Sequence, residues 1–261
     1  MTKKINKNGA VFYEGPSLID PTKKVVGIMT GLQHRSQNKK TDDLIQTFVL
    51  PTDSHPIEAR KTNNHNHFCG DCIHVANDTC YVDWGKAPSQ VWGCYKRGNY
   101  ARFDPYIHGQ YLRGRMMRCG SAGEPTAVPI DVWDNLLQSS RIRSHTGYTH
   151  RWRICDQDYR HLFLASCDTP EDTVEAMDMG WRFFFAGPIP WVTEVNKNGS
   201  LLCESQVSTC ADCSNPCNPQ SKVTRGVTIP VHGTPYKVKR YYKVLVPMLQ
   251  QKRKLQQSAT R

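Results

Sequence analysis

The stretch HLFLASCDTPEDTVEAMDMGWRFFFAGP, His161 to Pro188, decides the fold. Its two ends, HLFLASCD and WRFFFAGP, are apolar runs of strand length. Between them, TPEDTVEAMDMG reads as a helix. Thr169 is its N-cap, Pro170 takes the first helical position, acids fill the first turn and Gly180 closes it. Strand, helix, strand in that order implies parallel pairing, and with it an α/β layer or barrel.

The same alternation extends outward. DLIQTFVLP, GRMMRCG, HTGYTH, SLLCES and VTIPVHG read as further short strands, and PSQVWGCYKRGNY and VPIDVWDNLLQSS as helices. Residues 1–40 are expected as a loop-rich extension, 41–235 as the α/β domain and 236–261 as a basic tail. Polar residues recur at the ends of the expected strands: Gly123 and Glu124, His150, Asp168, Cys203 and His232. The carboxyl ends of parallel strands gather at one face, and that face carries the site.

With 261 residues the chain can bury a substantial core, as one large domain or two small ones. A mean hydropathy of -0.58 puts it among polar globular chains. No apolar run is long enough to span a membrane, and MTKKINKNGAVFYEG has no apolar stretch behind its basic residues. A cytoplasmic location is therefore expected, where an odd count of 11 cysteines argues against a disulfide framework. The net charge of +11 suits either contact with a polyanion such as nucleic acid or solubility alone. Much of that charge lies from Lys237 to Arg261, where no acidic residue occurs.

Seven of the cysteines fall in two groups. Cys203, Cys210, Cys213 and Cys217 provide four thiolates at close spacing, enough for tetrahedral zinc or a cubane iron–sulfur cluster. Cys69, Cys72 and Cys80 form C-x2-C-x7-C, with His74 between them. These three with His74 could make a zinc site; the three alone could hold a cluster with one iron left open. Cys94, Cys119, Cys155 and Cys167 have no partner at ligand spacing and read as inert thiols.

Cys80 is followed by Tyr81, and one strand later comes Ala122-Gly123-Glu124-Pro125. This arrangement resembles radical S-adenosylmethionine enzymes. In those, a three-cysteine loop after the first strand binds a cubane cluster, and a Gly-Gly-Glu-Pro segment after the second receives the cofactor's amino group. The usual loop spacing there is C-x3-C-x2-C, from which the gaps of two and seven depart. The resemblance implies a partial or distorted parallel (β/α) barrel with cysteine-rich loops at the C-terminal strand ends. It also implies one or two [4Fe-4S] clusters, S-adenosylmethionine near Tyr81, Gly123 and Glu124, and redox or radical chemistry. From about Ile45 to Gly233 the order CGDC, CY, YKRG, AGEP, TGYTHRWR, GWR, the later cysteines and PVHG is also similar to a group of phage-encoded proteins. That implies action in the cytoplasm of an infected host or association with the virion.

Glu124, His150, Asp168 and His232 are the candidate acid–base groups, an imidazole titrating near neutral pH. Arg151, Arg153 and Arg182 are candidates for anion binding. Tyr95, Lys96, Arg97, Tyr100 and Arg102 interleave aromatic and basic residues as single-strand stacking surfaces do. The alternative function is a zinc-stapled nucleic-acid-binding protein without catalysis.

Overall fold

A computed structural model of the chain describes residues 5–35, 43–204, 208–210, 212–213, 217–221 and 226–259. Its strands in chain order are β1 (Gly9–Pro16), β2 (Lys24–Thr30), β3 (Ile45–Pro51), β4 (Ala101–Arg102) and β5 (Met116–Ala122). There follow β6 (Ser144–Thr149), β7 (Leu164–Cys167), β8 (Phe183–Gly187), β9 (Leu201–Leu202) and β10 (Val227–Pro230). The first helices are α1 (Pro56–Lys61), α2 (Asn66–Cys69), α3 (Ile73–Ala76), α4 (Ala87–Lys96) and α5 (Pro105–Leu112). The rest are α6 (Ile130–Ser139), α7 (Pro170–Asp178), α8 (Ile189–Lys197), α9 (Pro235–Arg240) and α10 (Val246–Ala259), the last two joined by a π-helical turn, Tyr241–Leu245.

All ten strands belong to one sheet in the order β4-β1-β2-β3-β5-β6-β7-β8-β10-β9. From β3 to β10 every neighbouring pair is parallel, and the strands stand side by side in chain order apart from the two-residue edges. Each return therefore runs over a face of the sheet, and α6, α7 and α8 are three such crossovers. Only β1, β2 and β3 pair antiparallel. The protein is thus α/β with a mostly parallel sheet, as the strand–helix–strand reading expects.

The helix from Thr169 forms because its ends are chemically specified. Thr169 Oγ1 accepts from the Asp172 N–H at 3.1 Å, and Asp172 Oδ2 accepts from the Thr169 N–H at 3.1 Å, a reciprocal capping box. Gly180 at φ +79° allows the exit into β8. On the helix-covered side, Trp133 lies between Phe12 and Phe163, ring centroids 5.0 and 5.6 Å away. Full burial of such a side chain contributes roughly 1.5–3 kcal/mol.

Both ends of the chain differ from expectation. The first forty residues supply β1 and β2 rather than an extension. Val25, Val26, Ile28 and Met29 are wholly buried, because this part of the sheet is covered on both faces. The segment from 236 is likewise part of the fold up to Ala259. Lys252 pairs with Asp172 at 2.9 Å, and Arg253 bridges Glu171 at 2.9 Å and Glu194 at 2.7 Å. These two positive charges are matched by acids of α7 and α8 that sequence distance hides. Among the described residues no helix is long and apolar enough to cross a membrane.

A candidate active site lined by both cysteine groups

Side chains alternate across a strand, so one face of β5 to β10 can bury apolar groups while the other lines a cavity. Met117, Cys119, Phe183 and Phe185 take the buried face. Arg118 and Ala122 of β5, Tyr148 of β6, Ser166 of β7 and Phe184 of β8 take the other, and border a cavity of about 410 Å³. It reaches the carboxyl ends of the strands. Cys69, Cys72, Cys80, Cys203, Cys210, Cys213 and Cys217 all line it, and so do Tyr81, Gly123, Glu124, His150, Asp168 and His232.

The first cysteine loop is tied to the turn after β5. The Glu124 N–H donates to Phe68 O at 2.7 Å, next to Cys69. Gly123 makes that turn possible, since its φ is +85° and a Cβ there would lie 2.0 Å from Val49 O. Burial pushes the Cys69 thiol well up, and Cys80 and Cys72 push it further, so the three sulfurs are electrostatic neighbours. From the other side α9 clamps the loop. Lys237 donates to the carbonyls of Cys80 and Val82, and Arg240 Nε donates to Asn77 O at 2.7 Å.

The second group continues the sheet edge, where the Cys203 N–H donates to Thr228 O at 2.8 Å. Burial pushes the Cys217 thiol up to about 12; neighbouring Cys203, Cys210 and Cys213 add to this, while Tyr148 hydrogen-bonds it in the opposite sense. Arg118 stands within electrostatic reach of Cys210 and Cys217, and it donates to the Tyr81 hydroxyl with its guanidinium 5.6 Å from that ring's centroid.

A polar cluster occupies the same wall. His74 Nε2 lies 2.9 Å from Asp168 Oδ1, and His150 Nε2 lies 3.6 Å from that same oxygen. His150 Nδ1 is 3.8 Å from Cys72 Sγ, and Ser166 Oγ is 3.1 Å from His150 Nε2. Burial opposes charge on Cys72, His150 and Asp168, but pairing outweighs it. Cys72 and Asp168 raise the His150 pKa well above its ordinary value, and His150 with His74 hold the Asp168 carboxyl well below its own. Burial raises Glu124, against hydrogen bonds from Thr149 and Thr126. Its Oε1 accepts from Thr126 Oγ1 at 3.0 Å and its Oε2 from the His150 N–H at 3.3 Å. Glu124 thus positions His150 through the backbone, and Asp168 through the ring. His232 is exposed at the rim, its Nδ1 3.2 Å from Pro230 O.

Several expected binding residues have structural work instead. Arg153 pairs with Asp172 at 2.7 Å and Glu175 at 2.6 Å, and Arg151 with Asp71 at 3.1 Å. Arg182 donates to Asn218 O. Arg102 pairs with Glu14 at 2.9 Å, Lys96 donates to Thr52 O at 3.0 Å, and Arg97 donates to Cys94 Sγ at 3.4 Å. Tyr95 and Tyr100 are partly buried against the core. Conversely, Arg118, Ser166 and Tyr241 join the site unannounced. Arg118 was legible in RMMRCGSAGE, where it shares a strand face with Ala122, just before the turn that carries Glu124. Tyr241 comes from the segment read as a tail, and no local signal marks it.

Fold and site together define an α/β protein with a thiol-lined cavity at the carboxyl ends of its parallel strands. No family model, no curated protein and no solved structure matches the chain.

Proposed function

We propose that the protein is an iron–sulfur enzyme of the radical S-adenosylmethionine kind, its parallel strands forming a partial barrel around the cavity. The observation that carries this reading is the convergence of two cysteine groups, more than a hundred residues apart in sequence, on one cavity that Glu124 also lines. The donor sets suit the assignment. Cys203, Cys210, Cys213 and Cys217 match the four thiolates of a complete cubane site, and Cys69, Cys72 and Cys80 leave one iron without a protein ligand. Clusters held there would supply one-electron chemistry and, with S-adenosylmethionine near Gly123, Glu124 and Tyr81, radical chemistry. The chain's own part is to enclose the cavity, to place the cationic Arg118 between the two thiol groups, and to line the wall with Glu124, His150 and Asp168. The resemblance to phage-encoded proteins is the ground for assigning this activity to the cytoplasm of an infected host.

Anaerobic reconstitution of the full chain with iron and sulfide tests the proposal. The expected product carries roughly eight irons and as many sulfides per chain, and is brown and EPR-active when reduced. Replacing Cys69, Cys72 and Cys80 by alanine halves the iron, and replacing the other four removes the remaining half. Zinc as the sole metal, without sulfide, overturns the proposal in favour of zinc staples. Salt-dependent binding of single-stranded nucleic acid by that zinc form would then support the non-catalytic alternative.

A further inference from the structure

We propose that His74, His150 and Asp168 form a mononuclear site for a divalent first-row metal ion, separate from both thiol groups. One ligand atom from each lies within 4.8 Å of the other two, so a single ion can touch all three. Two imidazoles and a carboxylate are a donor set suited to manganese(II), iron(II) or zinc, and they leave further coordination positions open. The side chains of His74, His150 and Asp168 are 18%, 28% and 16% exposed, so the group is partly desolvated yet opens to the cavity.

Two further observations point to an ion rather than to a hydrogen-bonded trio alone. The outer nitrogen of each ring is held from behind, His74 Nδ1 by Thr79 Oγ1 at 3.1 Å and His150 Nδ1 by Cys72 Sγ at 3.8 Å. Metal-bound histidines are oriented by such contacts, which turn the inner nitrogen toward the ion; on His150 the ion would take the place of Ser166 Oγ, now 3.1 Å from that nitrogen. Independently, the Tyr241 hydroxyl is buried on the same cavity wall and has no hydrogen-bond partner among the described residues. Its ring stacks on His74 at 6.1 Å and 11°. A buried hydroxyl left so is costly, and an oxygen ligand on the ion would give it a partner. None of the seven clustered cysteines is a ligand here; Cys72 touches this site only from behind His150.

Manganese(II) is the probe, because it favours nitrogen and oxygen donors over thiolates. The metal-free full chain is titrated anaerobically while the six-line EPR signal of the free ion is followed. We expect a single tight site, with nitrogen hyperfine coupling from imidazole in pulsed spectra. Asp168→Asn and His74→Gln should each weaken binding at least about tenfold, while iron and sulfide uptake on reconstitution stays unchanged. A variant with serine at Cys203, Cys210, Cys213 and Cys217 should bind manganese like the parent chain. Failure of the parent chain to bind, bound ion without nitrogen coupling, or unchanged affinity in both His74→Gln and Asp168→Asn overturns the site. The hyperfine measurement needs no variant, so it decides the matter even if a substituted chain fails to fold.

Discussion

Asp168 and Asp172 lie four residues apart, one closing β7 and the other in the first turn of α7. Both are held below the usual carboxylate range. Asp172 is saturated: it accepts from Lys252 Nζ, Arg153, Gln256 and the backbone N–H groups of Thr169 and Asp168. Its side chain is 1% exposed, and two of its partners are basic side chains: Lys252, which ties α10 to α7, and Arg153 from the loop after β6. Asp168 has two imidazoles for partners and faces the cavity. Burial and a low pKa are common to both, so they do not distinguish a clamp from a reactive group. What distinguishes them is the kind of partner and access to open space.

The contrast can be broken most severely at the turn that supports the cavity side. Gly123→Ala places a methyl group against the Val49 carbonyl at a φ that disfavours it, and should cost about 4 kcal/mol or more in urea unfolding. A loss under about 1 kcal/mol would mean that the turn does not fix Glu124 as described. Next, Asp172→Ala leaves Lys252 without its carboxylate and Arg153 with Glu175 alone, and should cost about 3 kcal/mol. Asp168→Asn keeps an acceptor for His74 and should cost only about 1 kcal/mol. Equal costs would erase the distinction between clamp and site.

His145 sharpens the contrast as a buried ionisable group without a charged partner. Its Nε2 lies 3.0 Å from Leu162 O, and burial, against that bond, lowers its pKa to about 4. The unfolded imidazole titrates near 6.5, so between pH 6.5 and 4 the unfolded chain binds more protons than the folded one. Stability should therefore be unaffected by this group above pH 6.5, fall by about 3 kcal/mol on acidification through that window, and level off below it. Urea midpoints across the window should lose this slope in His145→Gln; an unchanged slope would assign it elsewhere. The smallest effect is expected at Lys252→Met. Lys252 is 38% exposed and Arg153 remains on Asp172, so the loss should be about 0.5–1 kcal/mol by thermal or urea unfolding.

Much of the fold is legible locally. Capping residues at Thr169 and Gly180, the apolar runs of β3, β5 and β8, and the turn at Gly123 act within a few residues of themselves. The thiol spacing that singles out seven cysteines is legible in the same way. The strands at the N-terminus were not, because VVGIM is buried on both faces and lacks alternation, and Gly15-Pro16 reads as loop. Nor could charge alone tell that Arg153, Lys252 and Arg253 serve the fold, since each finds its acids 19 to 82 residues away.

The sequence by itself determined the capped helix from Thr169, the apolar runs of the central strands and which side chains could ligate an ion. Those properties follow from backbone preference, periodicity and donor chemistry, all short-range. Only the tertiary structure decided that both cysteine groups line one cavity, that Tyr241 stacks on His74, and that Asp168 opens to it while Asp172 does not. Strand order and crossover path set those distances, and they depend on how the whole chain closes its hydrogen bonds and core.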